Sequence, residues 1–187
     1  MKMNRFIIAL PVVIMIMASC TQSKKGDLDD DGLTREEKKE VKSDDADFLR
    51  DAAEINHEGI YVSQLAATSA TLQETKDMAK MVIADHKRSN EEVIALAVKM
   101  GISIPTYADN EAERKFEGLA KKEGADFDKE YADLMVKTHK DAIDRYQKAI
   151  DNCDDATVIS FARSTLPKLQ EHLTHAEHCQ EMANAAK

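Results

Sequence analysis

Residues 71–101, "TLQETKDMAKMVIADHKRSNEEVIALAVKMG", decide how the rest of the chain is read. Ala79, Val82, His86, Ser89, Val93, Leu96 and Met100 recur at alternating steps of three and four. That spacing is one stripe of an amphipathic helix, because 3.6 residues make a turn. Thr71 and Glu74 fit a capping box at its start, and Gly101 supplies the left-handed residue that ends it.

The same rhythm extends in both directions. Upstream, Phe48, Ala52, Ile55, Val62, Ala66 and Ser69 share a face, with Gly59 filling the gap. The link to the next helix is very short, so the two are expected to pack antiparallel. Downstream, "ISIPTYADN" (102–110) is a turn-rich crossover in which Pro105 disfavours helix at Ile104. A short helix is expected over 110–123, stopping at Gly124. Asp126 is placed to cap a third long helix whose face is Tyr131, Met135, His139, Ala142, Tyr146 and Ile150. "DNCDD" (151–155) breaks it and caps a fourth, with Ala162, Leu166, Leu169, Leu173 and Ala176 inward. Pro167 is expected to kink that helix or divide it. The fold class is therefore all-α: an antiparallel four-helix bundle with an extra short helix in the crossover.

Composition agrees, since 187 residues with six Gly, three Pro and no Trp favour helix over sheet and fit one domain. The domain is expected over 44–187. Residues 1–20, "MKMNRFIIALPVVIMIMASC", precede it: a basic start (Lys2, Arg5), an apolar run from Phe6 to Met17, then "MASC". The run is short for a membrane span and suits a secretion signal. The ending resembles a bacterial lipobox, which implies cleavage after residue 19 and lipidation of Cys20. Met17 departs from the usual Leu or Val there, and ordinary signal cleavage with Cys20 free is the alternative. The expected address is the cell envelope, at the outer membrane or periplasmic side, with the lipid holding the protein to a membrane.

The formal charge is −9, and loss of Lys2 and Arg5 makes it −11. An acidic chain is a poor partner for nucleic acid or anionic lipid. Residues 20–43 are polar and nearly free of large apolar side chains, and read as a tether. Within them Asp27, Asp29, Asp31 and Gly32 match the first half of a calcium loop. The twelfth position is Lys38 where a bidentate Glu belongs, so a solvated charge run is the competing reading. Cys153 and Cys179 are expected to stay unpaired unless a helix break reverses the chain between them.

"FLRDAAEINHEGIYVSQLAATSA" (48–70), "AKMVIADHKRSNEEVIALAVKMGISIP" (79–105), "FDKEYADLMVKTHKDAIDRYQKAI" (127–150) and "FARSTLPKLQEHLTHAEH" (161–178) resemble the DUF4142 family. The match includes Asp85-His86, His139, Pro167 and His172. The resemblance implies a ferritin-like helical fold and export, often as a lipoprotein, and no established activity.

Helical angle sorts the histidines. His86 and His139 fall inside their apolar arcs, and His172 lies at the edge of its own. His57, His175 and His178 fall outside, with Glu171 on the outer face; those residues read as a solvated surface. Glu58 sits at the edge of the first arc. It lies about 18 Å before the turn near Ala70, and His86 about 24 Å after it. His139 lies about 21 Å before the turn near Cys153, and His172 about 28 Å after it. Glu58, His86, His139 and His172 can therefore converge near mid-bundle and hold a transition metal such as zinc. The reading placed first is a hydrogen-bonded network using Asp85, Tyr131, Tyr146, Thr165 and Ser89, with the metal site as its alternative. A di-iron site needs Glu-x-x-His on two helices, and Ile83, Val136 and Leu169 stand where those glutamates belong. No nucleophile motif or phosphate loop appears, which favours a binding or structural role over an enzyme.

Overall fold

A computed structural model of the protein describes residues 43–186. Cys20, Asp27, Asp29, Asp31, the signal and nearly all of the tether lie outside these residues. The described part is all α-helix: α1 (Ser43–Ser69), α2 (Gln73–Met100), α3 (Asn110–Leu119), α4 (Gly124–Asn152) and α5 (Ala156–Ala185). The hairpins α1–α2 and α4–α5 form the main contacts, and α1 packs on α4 as α2 does on α5. None of these helices is long and apolar enough to cross a membrane.

The ends are set by specific groups. Gly101 adopts φ 67°, and the Ile102 N–H reaches back to the Ala97 carbonyl at 2.8 Å, closing α2 as expected. Asp109 caps α3 through the Ala112 N–H, and Asp155 caps α5 through the Thr157 N–H, both at 2.8 Å. Two expected caps do not form. Thr71 and Glu74 form no capping box, since Leu72 is the N-cap of α2 and makes no side-chain cap. Instead the buried Asp128 of α4 accepts the Thr71 and Leu72 N–H groups at 3.0 and 3.2 Å. Asp126 does not cap α4, which begins two residues earlier at Gly124, itself at φ 57°. A turn after Leu119 ends α3 before residue 123.

At the opposite end Asp45 of α1, also buried, accepts the Asp154 and Asp155 N–H groups at 3.2 and 3.1 Å. Each hairpin link is thus held by a carboxylate from the other hairpin. α5 runs unbroken through Pro167, so the helix is not divided there. The carbonyl that Pro167 cannot serve is that of Arg163, and both residues are exposed, so water can take the place of the lost bond. Ser69, expected inward, is exposed, and Ala70 is buried in its place. Cys153 and Cys179 are buried free thiols. Cys153 sits in the α4–α5 link, and α5 carries Cys179 away from it.

The apolar interior falls into two clusters. One joins Phe48, Tyr146, Phe161 and Leu169, with the Phe48 and Tyr146 rings edge-on at 5.0 Å. The other joins Val62, Val82, Tyr131, Met135 and Ala176. Between them in sequence on each long helix lies a polar layer: Asn56 and Gly59 on α1, His86 on α2, His139 on α4 and His172 on α5. α3 lies on α1, where Phe116 stacks on Tyr61 at 4.7 Å.

Candidate metal centre

The polar layer brings His86, His139 and His172 together. All three are at least 97% buried, with ring centroids 5.3 to 5.7 Å apart. One nitrogen from each lies within 4.8 Å of the others, and no other His, Cys, Asp or Glu group among the described residues is so arranged.

The approach of the rings depends on Gly59. A Cβ at that position would stand 2.9 Å from His86 Nδ1, so the imidazole occupies space a side chain on α1 would need. A glycine inside a helix costs stability relative to alanine, and here it makes room for His86. Its place on the inward face was the available signal.

Two hydrogen bonds fix two of the rings. His139 Nδ1 donates to the Met135 carbonyl one turn back, at 2.9 Å. His172 Nε2 donates to Asp85 Oδ2 at 3.1 Å. In a neutral imidazole the second nitrogen is then a bare lone pair, so His139 presents Nε2 and His172 presents Nδ1. Neither of those atoms has a hydrogen-bond partner, and neither nitrogen of His86 has one. The Ile55 carbonyl gives His86 a weak favourable contact short of a hydrogen bond. The Asp85–His172 pair has the form of the carboxylate–histidine arrangement that orients metal ligands.

Burial holds all three rings neutral. It pushes His86 well below its ordinary value, reinforced by the neighbouring imidazoles. His139 is pushed down to about 4, again chiefly by burial. His172 is lowered by burial and partly restored by Asp85. Each buried nitrogen without a partner costs about 1–3 kcal/mol. A cation among the three lone pairs would relieve that cost. Bonds of about 2.1 Å to a tetrahedral ion would draw the nitrogens to about 3.4 Å apart, a modest inward tilt.

The hydrogen-bond network expected from sequence closes only in part. Tyr131 pairs with Ser63 at 2.8 Å, and Ser89 accepts from Asn56 at 3.1 Å. Of the side chains named for that network, only Asp85 reaches a histidine. Glu58 does not join the cluster. Its carboxylate is bound by Lys115 of α3 at 2.7 Å, in a cleft that His86 and His139 also line. Lys115 and the Met135 carbonyl are the groups that sequence did not single out, and sequence places Gly59 inward without tying it to His86. His175 and His178 are exposed, and Glu171 pairs with Lys168 at 2.7 Å.

The described chain is thus an all-α helical bundle with three buried histidines at its middle. By sequence it belongs to the family described as Domain of unknown function (DUF4142), whose model matches residues 32–179. No curated protein matches it. Among solved structures it is similar to a DUF305 fragment from Deinococcus radiodurans, with TM-score 0.67 and 11% identity, over 76% of this chain and 98% of that one. It is also similar to a conserved hypothetical protein, rv2844, from Mycobacterium tuberculosis, with TM-score 0.58 and 19% identity, over 73% and 96% of the two chains. These likenesses support the fold.

Proposed function

We propose that this protein binds a transition-metal ion in its core, with His86, His139 and His172 as ligands. Two observations carry this reading: each ring has a buried nitrogen with no partner, and one nitrogen from each of the three lies within 4.8 Å of the others. Three neutral imidazoles suit zinc or copper, and they leave a position open for water or a small ligand. The role proposed is binding.

The test is elemental analysis of the purified chain after zinc loading and gel filtration. One equivalent is expected, falling below about a tenth in each of His86→Ala, His139→Ala and His172→Ala, because two ligands hold zinc poorly. Glu58→Gln should retain the full equivalent, since Lys115 already occupies that carboxylate. The second reading is a structural cluster, favoured by the bonds to Met135 and Asp85. Its signature is metal-free protein whose histidine variants lose only stability.

We further propose that the protein works in the cell envelope, tethered by lipid on Cys20. The support is the N-terminal apolar run followed by "MASC". Intact-mass measurement of the mature chain should find an acylated Cys20 at its N-terminus. A mature chain that starts elsewhere, or an unmodified Cys20, sinks the tether.

A further inference from the structure

The histidine centre is approached by two clefts, and His86 lines both. One, a cavity of about 120 Å³ bounded by α1, α3 and α4, leads to His139. The other, about 180 Å³ between α2 and α5, leads to His172. Their charges differ. The second carries Asp85 and Glu92 against Arg88 and Lys168, which balance. The first carries five carboxylates, Glu54, Glu58, Asp109, Glu111 and Asp141, against Lys115, Lys137 and Arg145, a net of two negative charges.

The cations of the first cleft are already engaged. Lys115 bridges Glu58 and Glu111 at 2.7 and 2.9 Å, Lys137 faces Asp141 at 3.4 Å, and Arg145 turns to Asp51 at 3.1 Å. Glu54 has no cation partner within 4 Å among the described residues, and Asp109 is occupied only as the cap of α3. Glu54 accordingly holds its proton more tightly than an ordinary carboxylate, through partial burial and then the nearby Asp51 and Asp109. The same cleft is lined by His86, neither of whose ring nitrogens has a partner, and by His139, which has one such nitrogen.

We propose that the cleft between α1, α3 and α4 is the loading port of the metal centre, where Glu54 and Asp109 capture a hydrated divalent cation and pass it inward to His139 and His86. This rests on the metal-binding reading above. A negative cleft with low-dielectric walls concentrates a cation at its mouth, and exchange of carboxylate oxygens and waters for imidazole nitrogens completes the transfer. No bond to hydrogen or carbon changes; the ion trades oxygen ligands for nitrogen ones. Lys115, set between Glu58 and Glu111, opposes entry by its charge and by holding both carboxylates.

The test is stopped-flow loading of the full chain with zinc ion at low ionic strength. The double variant Glu54→Gln, Asp109→Asn should load about ten-fold more slowly, an effect that fades in 0.5 M salt as screening shortens to a few Å. Asn retains the cap of α3, so the fold is kept. Lys115→Met should load faster, and Glu92→Gln in the other cleft should leave the rate unchanged. Zinc stoichiometry should remain one equivalent in all three. Unchanged loading in the double variant, or equal slowing by Glu92→Gln, overturns the port and leaves the metal site standing. Failure of the unmodified chain to take up zinc overturns both.

Discussion

Asp128→Ala is expected to destabilise the protein by about 2–3 kcal/mol, read as a lower urea midpoint at constant slope. The carboxylate is fully buried and lies within hydrogen-bond distance of two consecutive amides, those of Thr71 and Leu72. Hydrogen bonds to a charged acceptor are worth about 1.5–3 kcal/mol each, and both would be lost. Two effects reduce the sum. Thr71 is exposed, so water can reach its amide after the substitution. Removing a buried charge also recovers part of its desolvation cost. For a domain of this size the loss corresponds to a drop in Tm of roughly 10 °C. Asp128→Asn keeps one acceptor oxygen and should lose about half as much. Asp45→Ala should repeat the effect at the other end, where it frees the Asp154 and Asp155 amides. A change below about 0.5 kcal/mol in both alanine variants would mean that the links hold themselves.

The second large effect is acid sensitivity of the metal-free protein. His139 falls from the ordinary 6.5 to about 4 on folding, so below pH 6.5 the unfolded chain takes up a proton that the folded one refuses. The associated stability is present in full above 6.5 and drains away as pH falls toward 4. Two and a half pH units correspond to about 3 kcal/mol from His139 alone. His86 is displaced in the same direction, and His172 less so because Asp85 opposes its burial. Urea unfolding of metal-free protein at pH 7, 6 and 5 should show a steep decline. The triple variant His86→Asn, His139→Asn, His172→Asn should be nearly flat over that range. An equal decline in both would assign the acid sensitivity to carboxylates elsewhere.

The helices and the inward placement of the three histidines are legible in sequence because both follow from angle. Steps of three and four, read through His86 and His139, put those residues on the same stripe as Val82 and Met135. His172 at the edge of its arc is carried inward too, and it ends 1% exposed. What periodicity cannot carry is contact between elements that no short link relates. Glu58 also stands at an arc edge, yet its partner is Lys115, on a helix whose seat against α1 depends on the crossover and on Phe116 stacking with Tyr61. The capping box fails for the same reason. Thr71 and Glu74 have the local spacing of a capping box, but a carboxylate 57 residues away reaches the amides instead. His139 bonds to a backbone carbonyl, which every residue has and no side-chain pattern marks.

The exchange of Asp45 and Asp128 bears on how the chain reaches its shape. Each aspartate leaves its own hairpin to finish the link of the other, so neither hairpin is a complete folding unit. A half-formed molecule would leave the amides at its bend, and the carboxylate meant for the other link, to water alone. Partly folded states are thereby penalised from both ends, and the two halves gain or lose order together. The three histidines, drawn from both hairpins, come together only when that joint step is done.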